Sequence, residues 1–202
     1  MAAQRVERRL AAILAADVPG HGRLVGAGEE DTLARLKAHR RKLIDLKITE
    51  HKGHILGSSP RTKTTGDSML VEFPSVVDAI RCAVEGQRAI VACNAENPED
   101  QRITFRIGVD LGDIIVDGDD VCGDGVSIAA CLQALAEPGG ICISRVVRDQ
   151  IRDKLPYTFE DRGEQSIENN ARPVCAYAMG AIAIAALPPV SAWVQAASTP
   201  VT

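Results

Sequence analysis

The chain has 202 residues, 46% hydrophobic and 25% charged, which suits one globular domain with a sizeable core. Its formal net charge of −4 argues against a nucleic-acid surface, which calls for a strongly basic stripe. The six cysteines (82, 93, 122, 131, 142 and 175) form no C-x-x-C pair and predict reduced, mostly buried thiols of a cytoplasmic protein rather than a disulfide framework.

Arg5, Glu7, Arg8 and Arg9 precede the first apolar run, residues 10–16, which is too short for a signal peptide and ends at Asp17. Residues 10–18 predict a buried strand. Residues 29–50 predict a helix with Leu33, Leu36, Leu43, Ile44 and Ile48 on one stripe. A short strand is expected at 54–56, a loop at Gly57-Ser58-Ser59-Pro60, and a second strand at 68–73. Lys63 to Asp67 then fall at or near the turn between the two strands. Ser75, with Asp78 three residues on, reads as the N-cap of a helix reaching about Asn94, its inward side carrying Val76, Val77, Ile80, Val84 and Ile90.

Residues 97–101 are a polar link. Strands are expected at 103–109 and 114–116, with Asp117-Gly118-Asp119-Asp120 a turn by composition. A short helix over 125–136 is stopped by Pro138-Gly139-Gly140. A strand at 141–143, a helix at 146–154, and strands at 157–160 and 174–179 complete the pattern. Hairpins and crossovers together imply an α+β fold, one sheet covered by helices. After Arg172 no charged side chain appears. The tail is as apolar as a membrane helix, but Pro188-Pro189 interrupts it, so 180–202 reads as an Ala/Pro-rich linker or disordered tail rather than a membrane segment.

Two carboxylates mark candidate chemistry. Asp17 ends the first strand and Asp67 sits on the turn of a hairpin-like unit. Each alone is an ordinary cap or turn residue. Carboxylates at strand ends can converge, and two of them can hold Mg²⁺, which keeps waters and takes other ligands from phosphates.

The segments RRLAAILAADVPGHGRL, KTTGDSMLVEF, FRIGVDLGDIIVDGDDVCGDGVSIAACL and EPGGICIS resemble, in order and rough spacing, the class III nucleotidyl cyclase catalytic domain. The resemblance spans residues 5–179 and implies a catalytic-type domain over 1–179. It also implies a ferredoxin-like βαββαβ core in one mixed, mainly antiparallel sheet. Two chains would pair head to tail with active sites at their interface. Each site would make cyclic AMP or cyclic GMP and pyrophosphate from the triphosphate, using two metal ions, Mg²⁺ or Mn²⁺. Asp17 and Asp67 match the metal aspartates, and the Val18 carbonyl matches a further metal ligand. Lys63 and Asp120 match the base-reading pair; a lysine donor with a carboxylate acceptor complements adenine and so implies ATP. The loop VPGHGR, with Gly20 and Gly22, matches the phosphate-binding loop.

The departures from the pattern are specific. Where the family places an Asn and, four residues on, an Arg, this chain has Ser127 and Cys131. The i, i+4 spacing sets both on one helix face. Ser127 keeps a short polar group, whereas Cys131 brings no positive charge. Loss of a transition-state arginine can cost on the order of 10³ to 10⁵ in rate. Glu168 falls where a basic residue toward the triphosphate is expected. Pro19 lacks an amide donor, Gly22 lacks a hydroxyl, and His21 replaces an aromatic residue. An insertion of about six residues before Lys63 is either a longer hairpin loop or a displacement of Lys63. A weakened adenylate cyclase domain is expected. The alternative is a degenerate homologue that acts as the metal-donating half of a heterodimer or as a nucleotide-binding regulatory partner.

Overall fold

The computed structural model describes residues 7–19, 38, 43–56, 68–95, 102–117, 120–167, 170 and 172–188. Strand β1 (Glu7–Asp17) lies near the middle of the sheet and is buried on both faces: Ala11, Ile13 and Ala15 on one side, Ala12, Leu14 and Ala16 on the other. Its near-continuous apolar run is what a two-sided strand requires. Then come α1 (Asp45–Glu50), β2 (His54–Leu56), β3 (Met69–Phe73) and α2 (Val76–Asn94). The second half holds β4 (Arg106–Asp117), β5 (Asp120–Cys122), α3 (Asp124–Leu135), β6 (Ile141–Ser144), α4 (Arg145–Ile151), β7 (Glu160–Gln165), β8 (Val174–Met179) and α5 (Ala181–Ala186).

The sheet order is β2-β3-β1-β4-β6-β8-β7, with β5 paired to β4. All ladders are antiparallel except β4 with β6. The order β2-β3-β1-β4 is that of the expected βαββαβ core, and the sheet is mixed and mainly antiparallel. The larger apolar core lies on one face, where β-strand residues meet Ile44, Ile48, Ile80, Val84, Val147 and Ile184. Helix α3 covers the opposite face.

Ser75 caps α2, its Oγ accepting from the Val77 N–H at 3.1 Å. Two buried amides extend from this helix. Gln87 donates to the carbonyls of Phe105 (2.9 Å) and Gly140 (3.0 Å), and Asn94 exchanges two hydrogen bonds with Ile103. They fix the approach to β4 and β6, at the end of the sheet where β1 stops.

Several expectations are corrected. The two strands expected at 103–109 and 114–116 are one, β4, because Gly112 stays in the ladder opposite Ala11. Ile103 and Phe105 are buried but lie before the strand. The strand expected at 157–160 is displaced to β7, a polar, exposed edge that hydropathy does not register; Tyr157 and Phe159 pack on the core from irregular backbone. The helix expected at 146–154 is shorter, capped by Ser144 and ending at Ile151. Of the helix expected at 29–50, the described part is chiefly α1; the rest lies outside the described residues. The cysteines are free of disulfides, but only Cys82 and Cys142 are buried; Cys122 is exposed and the others are half-buried. The expected linker opens instead as α5, whose Ile184 is 1% exposed and joins the main core. An apolar side chain every few residues let part of the uncharged tail dock. Residues 189–202 lie outside the described residues. No helix among the described residues is long and apolar enough to cross a membrane.

Candidate active site

Asp17 is the last residue of β1, and the antiparallel register puts it directly opposite Arg106, the first residue of β4. The Arg106 guanidinium grips the carboxylate through both oxygens, Nε to Oδ1 at 3.1 Å and Nη2 to Oδ2 at 2.9 Å. Such bidentate, charge-assisted pairs are geometrically strict. A third donor comes from α3: Gln133 Nε2 reaches Asp17 Oδ1 at 2.6 Å. The Asp17 side chain is 19% exposed, open on one side. Val18, next to it, is buried.

Gln133 arrives because α3 lies against the backbone of β4. A Cβ on Gly108 would run into the Ala129 carbonyl and the Gln133 amide nitrogen, and one on Gly112 would stand 2.7 Å from the Gly125 Cα. Gly123 starts the helix at φ 129°, a conformation that side chains resist, and a Cβ there would meet the Asp113 carbonyl at 2.5 Å. Glycines at 108, 112, 123 and 125 thus seat α3 on the strand and deliver its last turn to Asp17.

The same helix carries elsewhere Ser127 and Cys131, where the resemblance implies an Asn and an Arg. Ser127 is exposed, its hydroxyl turned back to the Gly123 carbonyl at 3.4 Å. Cys131 is half-buried. At about 100° per residue, Cys131 stands roughly 160° around the helix from Gln133, and Ser127 about 9 Å along the axis from it. Ser127 and Cys131 share one face, as their spacing predicts, and that face is turned away from Asp17.

Asp120 opens β5 opposite Asp117 in the ladder. Gly20, Gly22, Lys63 and Asp67, with His21 and Glu168, lie outside the described residues. The structure therefore brings together Asp17, Arg106 and Gln133, a grouping that sequence reasoning missed on its last two members. Arg106 was legible only through the β1–β4 register, and Gln133 only through the glycine-paved contact of α3. Among the described residues no group of three or more His, Cys, Asp or Glu is placed to hold a metal ion. Asp17 itself offers hard oxygen of the kind that Mg²⁺ and Mn²⁺ take, so the donor chemistry fits such an ion. Three N–H groups, however, already occupy three of the roughly four lone-pair sites of a carboxylate.

A Rhizobium meliloti protein named "Putative adenylate cyclase 3" is 41% identical over 174 residues, or 86% of this chain. The chain spans 29% of that relative's length. A crystal structure of an adenylate/guanylate cyclase/hydrolase from Silicibacter pomeroyi superposes with a TM-score of 0.79 at 39% identity, covering 87% of this chain and 99% of that one. The chain belongs to the class III adenylate/guanylate cyclase family. The cyclase fold extends to the adenylyl cyclase CyaB of P. aeruginosa, TM-score 0.68 at 20% identity, covering 86% of this chain and 95% of that one. No family model matches the chain. The cyclase domain here thus has the family's sheet, with Asp17 at the end of the central strand.

Proposed function

We propose that this cyclase domain converts ATP to cyclic AMP and pyrophosphate, slowly, at an interface between two head-to-tail copies. The observation that carries the proposal is the division of labour on α3, which turns Gln133 to Asp17 of its own chain and Ser127 and Cys131 to the other side. A single chain does not bring its carboxylate end and its Ser127–Cys131 face together. A second chain, reversed against the first, supplies the missing half of each site.

In the proposed reaction the 3′-hydroxyl of ATP gives its proton to solvent and its oxygen bonds to the α-phosphorus, the bond from that phosphorus to the α–β bridging oxygen breaks, and pyrophosphate leaves. Divalent cations, Mg²⁺ or Mn²⁺, on Asp17, Asp67 and the Val18 carbonyl would supply charge neutralisation and a more acidic hydroxyl. Lys63 and Asp120 bind the adenine, and the loop at Gly20 and Gly22 holds the phosphates. Ser127 offers one hydrogen bond toward the ribose. Cys131 offers no charge to the transferring phosphoryl group, which is why turnover is slow.

The test is cyclic AMP formation by the purified chain with ATP and Mn²⁺, beside the double variant Ser127→Asn, Cys131→Arg. The variant should be faster by on the order of 10³. If neither protein turns over, the domain is a binding or regulatory partner. The same division of labour favours one second reading: with its carboxylate end retained and its α3 face depleted, the chain can serve as the metal-donating half of a heterodimer. Mixing it with a competent cyclase that lacks its own metal aspartates should then restore activity; no recovery excludes that role.

A further inference from the structure

We infer that Gln133 is a gate on the Asp17 carboxylate, its amide competing with a divalent cation for that carboxylate's oxygens. The inference rests on the cyclase reading above and concerns residues that the family pattern leaves unassigned.

The two partners of Asp17 differ in kind. Arg106 is fixed opposite Asp17 by the β1–β4 ladder, and its guanidinium brings a positive charge. It is a fixed counter-charge. Gln133 is neutral, comes from a different element, and lies in the last turn of α3. Its 2.6 Å bond ends on Oδ1, the oxygen that Arg106 Nε also reaches. With three donors on the carboxylate, an Mg²⁺ or Mn²⁺ held by Asp17 would compete with the amide for the carboxylate's lone pairs. The amide is the donor that can rotate away, because it loses one hydrogen bond and leaves no buried charge behind.

The gate also couples two places. Releasing Gln133 loosens the last turn of α3, the helix that bears Ser127 and Cys131. By reciprocity, whatever pulls α3 away from β4 favours the cation on Asp17. Gln133 is therefore a positioning residue, acting on chemistry through Asp17.

The experiment is a Mn²⁺ titration of the full 202-residue chain, without nucleotide, followed by calorimetry and by the electron paramagnetic resonance signal of free Mn²⁺. Gln133→Leu removes the donor but keeps a good helix former, and Gln133→Ala is the second variant should Leu misfold; Asp17→Asn marks the binding that belongs to this site. Loss of a hydrogen bond to a charged group predicts Mn²⁺ binding about tenfold tighter in the Gln133 variants. A merely structural role for Gln133 predicts the reverse, weaker binding together with a lower melting temperature. Equal or weaker binding that still depends on Asp17 overturns the gate and leaves the cyclase reading standing. Absence of any Asp17-dependent binding, in wild type and variants alike, overturns the gate and the metal role of Asp17 together.

Discussion

Asp110 is 3% exposed on the α3 side of β4, where the Ser144 hydroxyl and the Leu111 N–H donate to it. Burial pushes its pKa up from the ordinary 3.8, and the two hydrogen bonds only partly oppose this. With the folded pKa above the unfolded one, its contribution to stability is complete below the unfolded value and is lost as pH rises through the folded value. Asp110→Asn should therefore gain stability relative to wild type as pH rises from about 4 to 7. Melting temperatures of both proteins across that range check this, and parallel curves would refute it. Asp17 differs in environment, being half-open and gripped by a guanidinium. Two aspartates on neighbouring strands thus have different physics, one a desolvated acid and the other an ion-paired acceptor. Replacing Ser127 and Cys131 likewise tests chemistry without moving the fold.

Helix α3 decides how the site is assembled. It approaches β4 so closely that Gly108 has no room for a methyl group, the obstacle being the backbone of Ala129 and Gln133. Gly108→Ala should cost about 3 kcal/mol, at the upper end for overpacking, because backbone cannot swing aside as a side chain can. It should also lift Gln133 from Asp17. Gly86, inside α2, is the control: a Cβ there meets nothing within 4 Å. Gly86→Ala should stabilise by about 0.5–1 kcal/mol through helix propensity. Denaturant titrations of the two variants separate these signs. If both destabilise alike, the close seating of α3 is not what constrains Gly108.

At the scale of the whole molecule, α5 closes the core from the far side. Ile184 is 1% exposed and Ile182 is 88% exposed on the same six-residue helix. Arg88 of α2 holds the following segment through the Pro188 carbonyl at 2.7 Å. Ile184→Ala should lower stability by about 2 kcal/mol, the low end for an isoleucine because a short helix can settle into the gap. Ile182→Ala should change it by less than about 0.5 kcal/mol. Thermal melts of the two variants, with proteolysis beyond 180 as a second readout, decide whether this segment is part of the domain. Equal melting temperatures for both would return the segment to the status of a linker.

The sequence by itself determined the fold class, the central strand, the capped helix α2 and the cyclase family. Those rest on local signals: apolar runs, a serine cap, and motifs whose order survives without knowledge of contacts. It also placed Ser127 and Cys131 on one helix face, because helical spacing is a local property. Only the tertiary structure decided what Asp17 touches. Arg106 is 89 residues away and Gln133 is 116, so their meeting depends on strand register and on a glycine-paved contact between α3 and β4. The polar edge strand β7 and the docked α5 were hidden for the same reason. Pairing of exposed backbone and burial of one isoleucine depend on what lies across the sheet or helix, and no window along the chain contains that neighbour.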